Sequence, residues 1–494
     1  MISKKLTVLM SVGTLFSVSI LSTTASAQNL YMNDMKLKSE LDWLNAQGVT
    51  HISTSTWPLT ANEIIKALTT AQVSTDAQQK VLQSVRVTLA KNPNSLVKAE
   101  VDAYVQTDRQ QLPQTFADDH LAGQQLSASI GLSEENWEMK FQANLKNDNL
   151  VDNGDDISFE GSYIAGTAAN QWLIAGKIPA WWGPGNDGSL IRGDASIPVT
   201  GFTMQRDTQT APTNQYLNWV GPWQYQLFAG QLDDYEAVSD TKLFGARLSA
   251  SPLPWLEVGA SRTFMWGGEG RPENFSSFGD AVLGTKDNEA TAGNADDDPA
   301  NQLGGFDAKI QLAPLLHVPA SVYGQYIGED EAGGLPAKNM YLAGVDYASE
   351  AHGKPYQLYA EYADTRSSGE VKGVSYDHFL YTDGYYQQGY PLGHSLGGDA
   401  ESVSVGGRLW LDSRNFVNTK LQYVKVNQSG ELDRRTGKSD NQAFPMKDKL
   451  TAIDISWAHQ LNPKTLVTSR LWGVDSDNQS SDIGAGVGLE FIVY

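Results

Sequence analysis

The stretch VKAEVDAYVQ, residues 97–106, alternates between apolar and polar side chains at every position. The same two-residue period returns in WEMKFQANL, residues 137–145, and in IGAGVGLEF, residues 483–491. Successive side chains of a β-strand point to opposite faces, so each stretch predicts a strand with one apolar face. A soluble sandwich and a membrane barrel both produce this pattern, and the segment that precedes the strands helps to decide between them.

Residues 1–27 have the features of a secretory signal peptide. Two lysines precede a mostly apolar stretch, residues 6–21, and Ala-Ser-Ala at residues 25–27 has the small-x-small pattern of a cleavage site. We expect the mature chain to begin near Gln28, with a retained membrane anchor as the alternative. Export followed by alternating strands predicts an all-β fold, a transmembrane antiparallel barrel of roughly sixteen to eighteen strands.

The composition narrows the classes of function. After the signal segment no run of about 20 apolar residues predicts a membrane-spanning helix, whereas a barrel needs only alternate residues to face lipid. The chain has no cysteine, which excludes disulfides, thiolate catalysis and thiolate metal sites. Its formal net charge of −21 argues against a nucleic-acid partner, because phosphate binding needs clustered lysine and arginine.

Residues 28–95 predict a small helical bundle on the periplasmic side, ahead of a barrel over residues 96–494. Three leucines recur at helical spacing, at positions 37, 41 and 44. Two capping boxes are predicted, Thr60 with Glu63 and Thr75 with Gln78. Pro93 is expected to end the last helix.

The final strand carries glycine at positions 484, 486 and 488, opposite its apolar face. This row predicts that another element packs closely on the inner face, either a plug or the helical bundle. Together with the long loops, it predicts an occluded lumen. Tyr494 falls in the glycine phase rather than in the apolar phase, which is unusual for the terminal aromatic residue of a barrel.

Several short motifs in the sequence do not establish the functions with which such motifs are associated. GPGNDG at residues 183–188 matches the dinucleotide pattern, but a proline interrupts it and no βαβ unit surrounds it. The RGD tripeptide at residues 192–194 is expected by chance. No two of the seven histidines have metal-ligand spacing on a helix, and the aspartates at 296–298 lack the spacing of a calcium loop. We predict no metal and no cofactor, and a Ser–His–acid site stays open.

Two groups of residues are candidates for sugar chemistry. Glu269, Arg271 and Glu273 follow Trp266 in a polar loop. Paired carboxylates hydrolyse glycosides, but a solvated loop or an Arg–carboxylate network is the favoured explanation of this group. Aromatic rings cover the apolar face of a sugar while amides and carboxylates bond its hydroxyls. Two aromatic clusters of this kind occur, and interface girdles or loop packing also explain them. They are Trp181 with Trp182, and Tyr381, Tyr385, Tyr386 and Tyr390.

Six longer motifs resemble those of a known family. They are STWPL at 55–59, WWGPGNDGSLIRGDA at 181–195, VGPWQYQ at 220–226, WGGEGRPENFS at 266–276, GQYIGEDEAGGLP at 324–336 and YTDGYYQQGYPLG at 381–393. In this order they resemble the Wzi family of capsule-assembly outer-membrane proteins across essentially the whole mature chain. Two stretches, residues 286–300 and 427–442, do not match closely.

The resemblance implies a barrel of about eighteen strands with a periplasmic helical bundle, acting as a lectin that catalyses no reaction. Its implied partners are capsular polysaccharide, outer-membrane lipid and the barrel-assembly machinery that inserts it. Because such polymers are usually acidic, Arg192 and Arg271 or bridging cations would offset the protein's charge. A porin or a surface hydrolase are the alternatives. The candidate carbohydrate-contact residues are Trp181, Trp182, Asp187, Arg192, Trp266, Glu269, Arg271, Tyr385, Tyr386 and Tyr390.

Overall fold

The computed structural model describes residues 29–90, 96–107, 113–118, 122–149, 155–194, 196–284, 300–332, 335–367, 375–430, 439 and 441–493. Several predictions made from the sequence lie outside these residues. They concern the signal peptide, Pro93 as the end of a helix, the aspartates at 296–298 and the phase of Tyr494.

Eighteen antiparallel strands form one closed barrel. In chain order, β1 to β18 are Val97–Gln106, Ala122–Glu134, Trp137–Asn149, Tyr163–Ala168, Gln171–Lys177, Thr200–Arg206, Trp223–Gln231, Lys242–Leu253, Leu256–Trp266, Ala300–Gln311, Ala320–Ala332, Leu335–Ala351, Lys354–Asp364, Glu401–Asp412, Asn415–Val426, Asp448–Asn462, Thr465–Ser476 and Asp482–Ile492. A short segment, Ile157–Ser158, pairs with β3 ahead of β4. Pairing of β18 with β1 closes the sheet and leaves no free edge, so the predicted all-β barrel is confirmed.

The outer wall is apolar and the inner wall is polar, as the alternation predicts. Val105, Leu248 and Phe306 point outward and are about half exposed, whereas Gln226 and Gln357 point inward and are buried. An apolar outer band with a polar interior is the arrangement of a barrel that lies in lipid. Among the described residues, none of the helices is both long and apolar enough to cross a bilayer.

The glycine row of β18 lies beneath aromatic rings of the two neighbouring strands. A Cβ atom added at Gly484 would collide with the ring of Trp472, and one at Gly486 would meet the Tyr104 hydroxyl. Both aromatic side chains come from the neighbouring strands β17 and β1. Glycine therefore makes room for rings that lie across the inner wall. Another element also reaches this part of the wall, as predicted, because Asp118 of the β1–β2 connection forms an ion pair at 3.0 Å with Arg470, the register partner of Gly486.

The connections differ between the two ends of the barrel. At one end, called the turn end, most are tight turns: residues 135–136, 169–170, 254–255, 352–353, 413–414 and 463–464. At the other end, called the loop end, the longest connections are residues 178–199, 267–299, 365–400 and 427–447. Short turns at one end and long loops at the other are typical of outer-membrane barrels.

Within the described residues five α-helices accompany the barrel, and three of them precede it. They are α1 Met35–Ala46, α2 Ala61–Thr69, α3 Asp76–Leu89, α4 Phe275–Leu283 and α5 Ala313–Leu316. The predicted capping box of Thr75 with Gln78 is present at the start of α3. Thr60 caps α2 by accepting from the Glu63 amide, but the Glu63 carboxylate accepts from the Gln209 amide at 2.6 Å instead of returning to Thr60.

The first helix holds the N-terminal segment against the turn end. Its three predicted leucines are fully buried. Trp43 Nε1 donates to the Ser349 carbonyl at 3.1 Å, beside the β12–β13 turn. Asp42 forms an ion pair with Lys309 of β10 at 3.0 Å, and Trp410 of β14 donates to Glu40 at 3.2 Å. Because these partners lie on separate strands, α1 closes this end of the barrel.

Candidate functional site

The lumen contains three segments that meet inside the barrel, which we call the plug: residues 53–60, 113–118 and 181–194. The first comes from the turn end, and the other two come from connections at the loop end. Thr56–Trp57 pairs antiparallel with Trp181–Trp182. The Gly183 amide extends this small sheet by donating to the Ser55 carbonyl at 2.9 Å. The observed plug agrees with the predicted occlusion of the lumen.

Polar residues of the wall hold the plug in place. Arg247 of β8 is buried and makes a bidentate ion pair with Asp307 of β10, at 2.6 and 3.0 Å. The same guanidinium donates to the hydroxyls of Thr56 at 2.8 Å and Ser55 at 3.1 Å. A buried charge of this kind is stable because each of its donors finds an acceptor. Polar side chains of the inner wall around Arg247 therefore have a structural role, because they form hydrogen bonds to the plug.

The glycine-rich turn at residues 183–188 binds a carboxylate of the protein itself. Glu361 of β13 accepts hydrogen bonds from the amides of Asn186 at 2.7 Å, Asp187 at 3.1 Å and Gly188 at 2.9 Å. Successive backbone amides of a turn form a concave anion-binding nest. The pattern that resembles a nucleotide motif therefore fixes the loop to the wall.

Two charged candidates from the sequence lie within the plug. Asp187 is buried and accepts from Ser404 at 2.7 Å and from Gln422 at 2.6 Å. Arg192 is buried, and its guanidinium carbon lies 4.0 Å from the centroid of the Phe228 ring. Burial lowers the pKa of Arg192 to about 10. Both side chains are enclosed by protein atoms within the lumen.

The aromatic candidates are buried in the same region. The Tyr385 hydroxyl donates to the Ile191 carbonyl at 2.9 Å, and the Tyr386 hydroxyl accepts from the Gly398 amide at 3.1 Å. Tyr390 packs on Ile197 in a small separate cluster. The remaining candidate rings are also buried, Trp181 and Trp182 within the plug and Trp266 on the outer wall. In this arrangement the six rings contact protein, and their role in carbohydrate contact stays a prediction.

Two candidates do reach the surface at the loop end. Glu269 is exposed, and Arg271 is half-buried with its guanidinium carbon 5.7 Å from the centroid of the Tyr381 ring. Their neighbour Glu273 forms an ion pair with Lys242 and accepts from the Gly268 amide at 2.8 Å. The hydrogen bond from Lys242 lowers the pKa of Glu273.

Two further residues, which sequence reasoning did not select as contact residues, lie beside Tyr381. The rings of His378 and Phe379 are 4.8 Å apart, and His378 is 5.6 Å from Tyr381. Phe379 is 38% exposed, so its ring reaches solvent at the loop end. Its signal in the sequence is a phenylalanine directly ahead of the tyrosine-rich stretch of the same loop. We call Glu269, Arg271, His378 and Phe379 the rim cluster.

A closed eighteen-stranded barrel with an apolar outer wall and an internal plug is a plugged outer-membrane β-barrel. The family described as capsule assembly protein Wzi matches residues 92–482. The chain belongs to the Wzi family and is an outer-membrane protein.

Two relatives are similar over nearly the whole chain. A Klebsiella pneumoniae protein, described as a 55.8 kDa protein in the cps region, is 42% identical over 481 residues, 97% of this chain and 92% of the relative. A solved structure of Wzi from Escherichia coli has a TM-score of 0.84 and 39% identity, covering 94% of this chain and 99% of that one. That protein is described as an outer-membrane protein involved in group 1 capsule assembly and as a carbohydrate-binding β-barrel.

Proposed function

We propose that this protein is an outer-membrane lectin that binds capsular polysaccharide and supports its attachment and organisation at the cell surface. Membership of the Wzi family supports this function, because its solved relative is described as a carbohydrate-binding barrel. The structural observation that carries the proposal is the filled lumen. Since the plug bonds to the wall on β7, β8, β13 and β14, the surface of the loop end, rather than a pore, is available to a polymer.

The difference between the turn end and the loop end indicates how the barrel is oriented in the membrane. We propose that the loop end faces outward and that residues 28–95 form a bundle on the periplasmic side, followed by the barrel over residues 96–494. The half-exposed apolar residues of the outer wall contact outer-membrane lipid, and insertion uses the barrel-assembly machinery. Long loops on the outer side are the usual arrangement in such barrels.

The rim cluster supplies the groups that an acidic sugar needs. The Phe379 ring offers an apolar surface to the C–H face of a sugar. Arg271 donates to carboxylates or hydroxyls, and Glu269 accepts from hydroxyls. His378 Nδ1 accepts from the Leu380 and Tyr381 amides, which holds the imidazole ring beside Phe379. Weak contacts repeated along a polymer and over many barrels give avidity without a deep site.

The carboxylates of the rim support binding rather than reaction. Glycoside hydrolysis needs two carboxyl groups that face each other across the scissile bond. Glu273, which lies closest to Glu269 in the sequence, is bonded to Lys242 and to the Gly268 amide. We therefore propose that the protein binds polysaccharide without cleaving it.

Partition of capsule between cells and medium tests the proposal. A deletion strain is complemented with wild-type protein or with the double variant Arg271→Ala, Phe379→Ala, and total polymer is quantified in both. We expect equal total polymer and a shift into the medium with the double variant. Arg414→Ala is the matched control, because Arg414 is exposed at the turn end. Wild-type retention by the double variant would dismiss the rim cluster, and unchanged partition in the deletion strain itself would dismiss attachment.

A further inference from the structure

Helix α4 lies against the outside of the barrel rather than in the lumen. Phe244 of β8 and Phe264 and Trp266 of β9 point outward at the loop end, and the α4 residue Phe278 packs on all three. Its ring centroid lies 5.1 Å from Phe244, 6.0 Å from Phe264 and 5.3 Å from Trp266. Ala281 of the same helix is fully buried. The buried face of α4 therefore continues the outer wall.

The barrel wall also supplies hydrogen-bond donors to the C-terminal end of α4. Arg262 of β9 points outward and donates to the carbonyls of Val282 at 2.8 Å and Ala281 at 3.1 Å, and it also bonds the Gln302 side chain. The last carbonyls of a helix have no partner within the helix, and a cation at that end is favourable. An outward arginine on a barrel is costly at the lipid midplane and tolerated near the interface. Arg262 and α4 thus satisfy each other's polar groups, which favours a place near the interface for both.

The opposite side of α4 carries apolar side chains that are largely exposed among the described residues. Phe275 is 99% exposed, Leu283 is 71% exposed and Val282 is 43% exposed. These three residues lie within one arc of the helix at a spacing of 100° per residue, and Ser276 with Asp280 lies on the adjoining arc. In water such an arc is unfavourable by about 25 cal/mol for each Å² of apolar surface.

The apolar arc is continuous with the lipid-facing band of the barrel. Arg262 pairs with Ala246 and Gly304 across the outer wall, and the next outward register contains Leu248, Ala260 and Phe306. Leu248 is 52% exposed and Phe306 is 54% exposed. The C-terminal end of α4 therefore lies directly beside the rows that contact acyl chains.

We propose that α4 is an interfacial helix whose exposed arc, Phe275, Val282 and Leu283, contacts the acyl chains of the outer leaflet. An amphipathic helix that lies in the plane of the interface buries its apolar face in this way. The helix follows the rim residues Glu269 and Arg271 in the same connection, so it fixes their height above the membrane. This inference rests on the outer-membrane placement of the barrel and is independent of carbohydrate binding.

Spin labels on single cysteines test the inference in the full-length protein. The chain has no cysteine, so Phe275→Cys and Leu283→Cys each carry one label. Labelled protein is reconstituted in phosphatidylcholine vesicles, and collisions with apolar oxygen and with a water-soluble nickel chelate present on both sides are compared. Leu248→Cys on the outer wall is the lipid reference, and Ser480→Cys, exposed in the β17–β18 connection, is the water reference. Ser276→Cys reports the edge of the apolar arc on the same helix.

We expect the oxygen-to-nickel collision ratio at positions 275 and 283 to be several-fold above that at Ser480 and close to that at Leu248. Ser276 lies at the edge of the apolar arc, so its position should give a ratio between those at Leu248 and Ser480. A ratio at 275 and 283 equal to that at Ser480 would place the arc in water and overturn the inference. Few collisions with both reagents would show that protein covers the arc, either a second copy or another part of this chain, and would overturn it as well. Each variant is first shown to be folded by its heat-modifiable mobility in gels.

Discussion

Trp57 and Trp181 are register partners in the small sheet inside the barrel, and the ring of Phe116 packs on both. The centroid of Phe116 lies 5.0 Å from that of Trp57 and 5.3 Å from that of Trp181. All three rings are buried. They come from the N-terminal segment, the β1–β2 connection and the β5–β6 connection. The plug is therefore tertiary structure that exists only when the barrel has brought these three segments together.

Truncation of Trp57 should destabilise the whole protein. Trp57→Ala removes a fully buried ring from the junction, so we expect the free energy of unfolding to fall by about 3–5 kcal/mol. Urea unfolding in detergent micelles, followed by gel mobility, measures the change. Trp219→Ala is the matched control, because Trp219 is 68% exposed at the turn end. Equal effects of the two substitutions would contradict the structural role of Trp57.

Loss of the Glu361 carboxylate should release the glycine-rich turn. Glu361→Ala leaves three buried amides without their acceptor, and each unsatisfied group costs about 1–3 kcal/mol. Glu361→Gln should cost less, because its carbonyl oxygen still accepts. Urea unfolding measures both variants, and Glu350→Ala, which is exposed near the β12–β13 turn, is the control. We expect the free energy of unfolding to rise in the order Glu361→Ala, Glu361→Gln, wild type. Identical values would show that Glu361 does not hold the glycine-rich turn.

The barrel was predictable from sequence because its signal is local. Alternation within a strand such as residues 97–106 depends only on neighbouring positions, and it places Val105 outward and Tyr104 inward as observed. The plug was not predictable in detail. Thr56 pairs with Trp182, and Glu361 binds Asn186. The members of each pair are far apart in the sequence, so no periodic pattern predicts their contact. Such contacts depend on closure of the whole barrel.

The candidate contact residues were only partly predictable, for the same reason. Sequence identifies aromatic residues in loops, but whether a loop folds into the lumen or outward decides whether a ring is buried. Tyr385 lies inside, whereas Phe379, only six positions earlier, reaches the surface. Arg192 and Arg271 look equivalent in sequence, yet the first lies in the plug and the second in the rim cluster.

Acid should weaken the plug through His394, a buried residue of the β13–β14 connection. Burial lowers the pKa of His394 to about 4, opposed by the Asp187 carboxylate and assisted by the Lys420 ammonium. The unfolded chain, with an ordinary pKa of about 6.5, then binds the proton more readily than the folded protein. Stability should be full above pH about 6.5, fall by up to about 3 kcal/mol as the pH drops to about 4, and level off below that.

His394→Asn separates this titration from the general effect of acid. The asparagine carbonyl can replace Nδ1 as the acceptor of the Leu396 amide, a contact of 3.2 Å in the wild type. We expect the variant to have a flatter profile of unfolding free energy between pH 6.5 and 4 than the wild type. A profile with the same slope in both proteins would assign the acid sensitivity to other groups.

The same plug predicts that the wild-type protein is electrically silent in planar bilayers. Ions would have to pass Arg247 and Glu361, whose hydrogen bonds tie the plug to the wall on β8 and on β13. Flotation of the source vesicles establishes that protein is present in the membrane. Trp57→Ala, which loosens the junction of the three plug segments, should show brief openings where the wild type shows none. A stable open conductance in the wild type would instead favour a porin, because a polar inner wall serves a channel as well as it serves a plug.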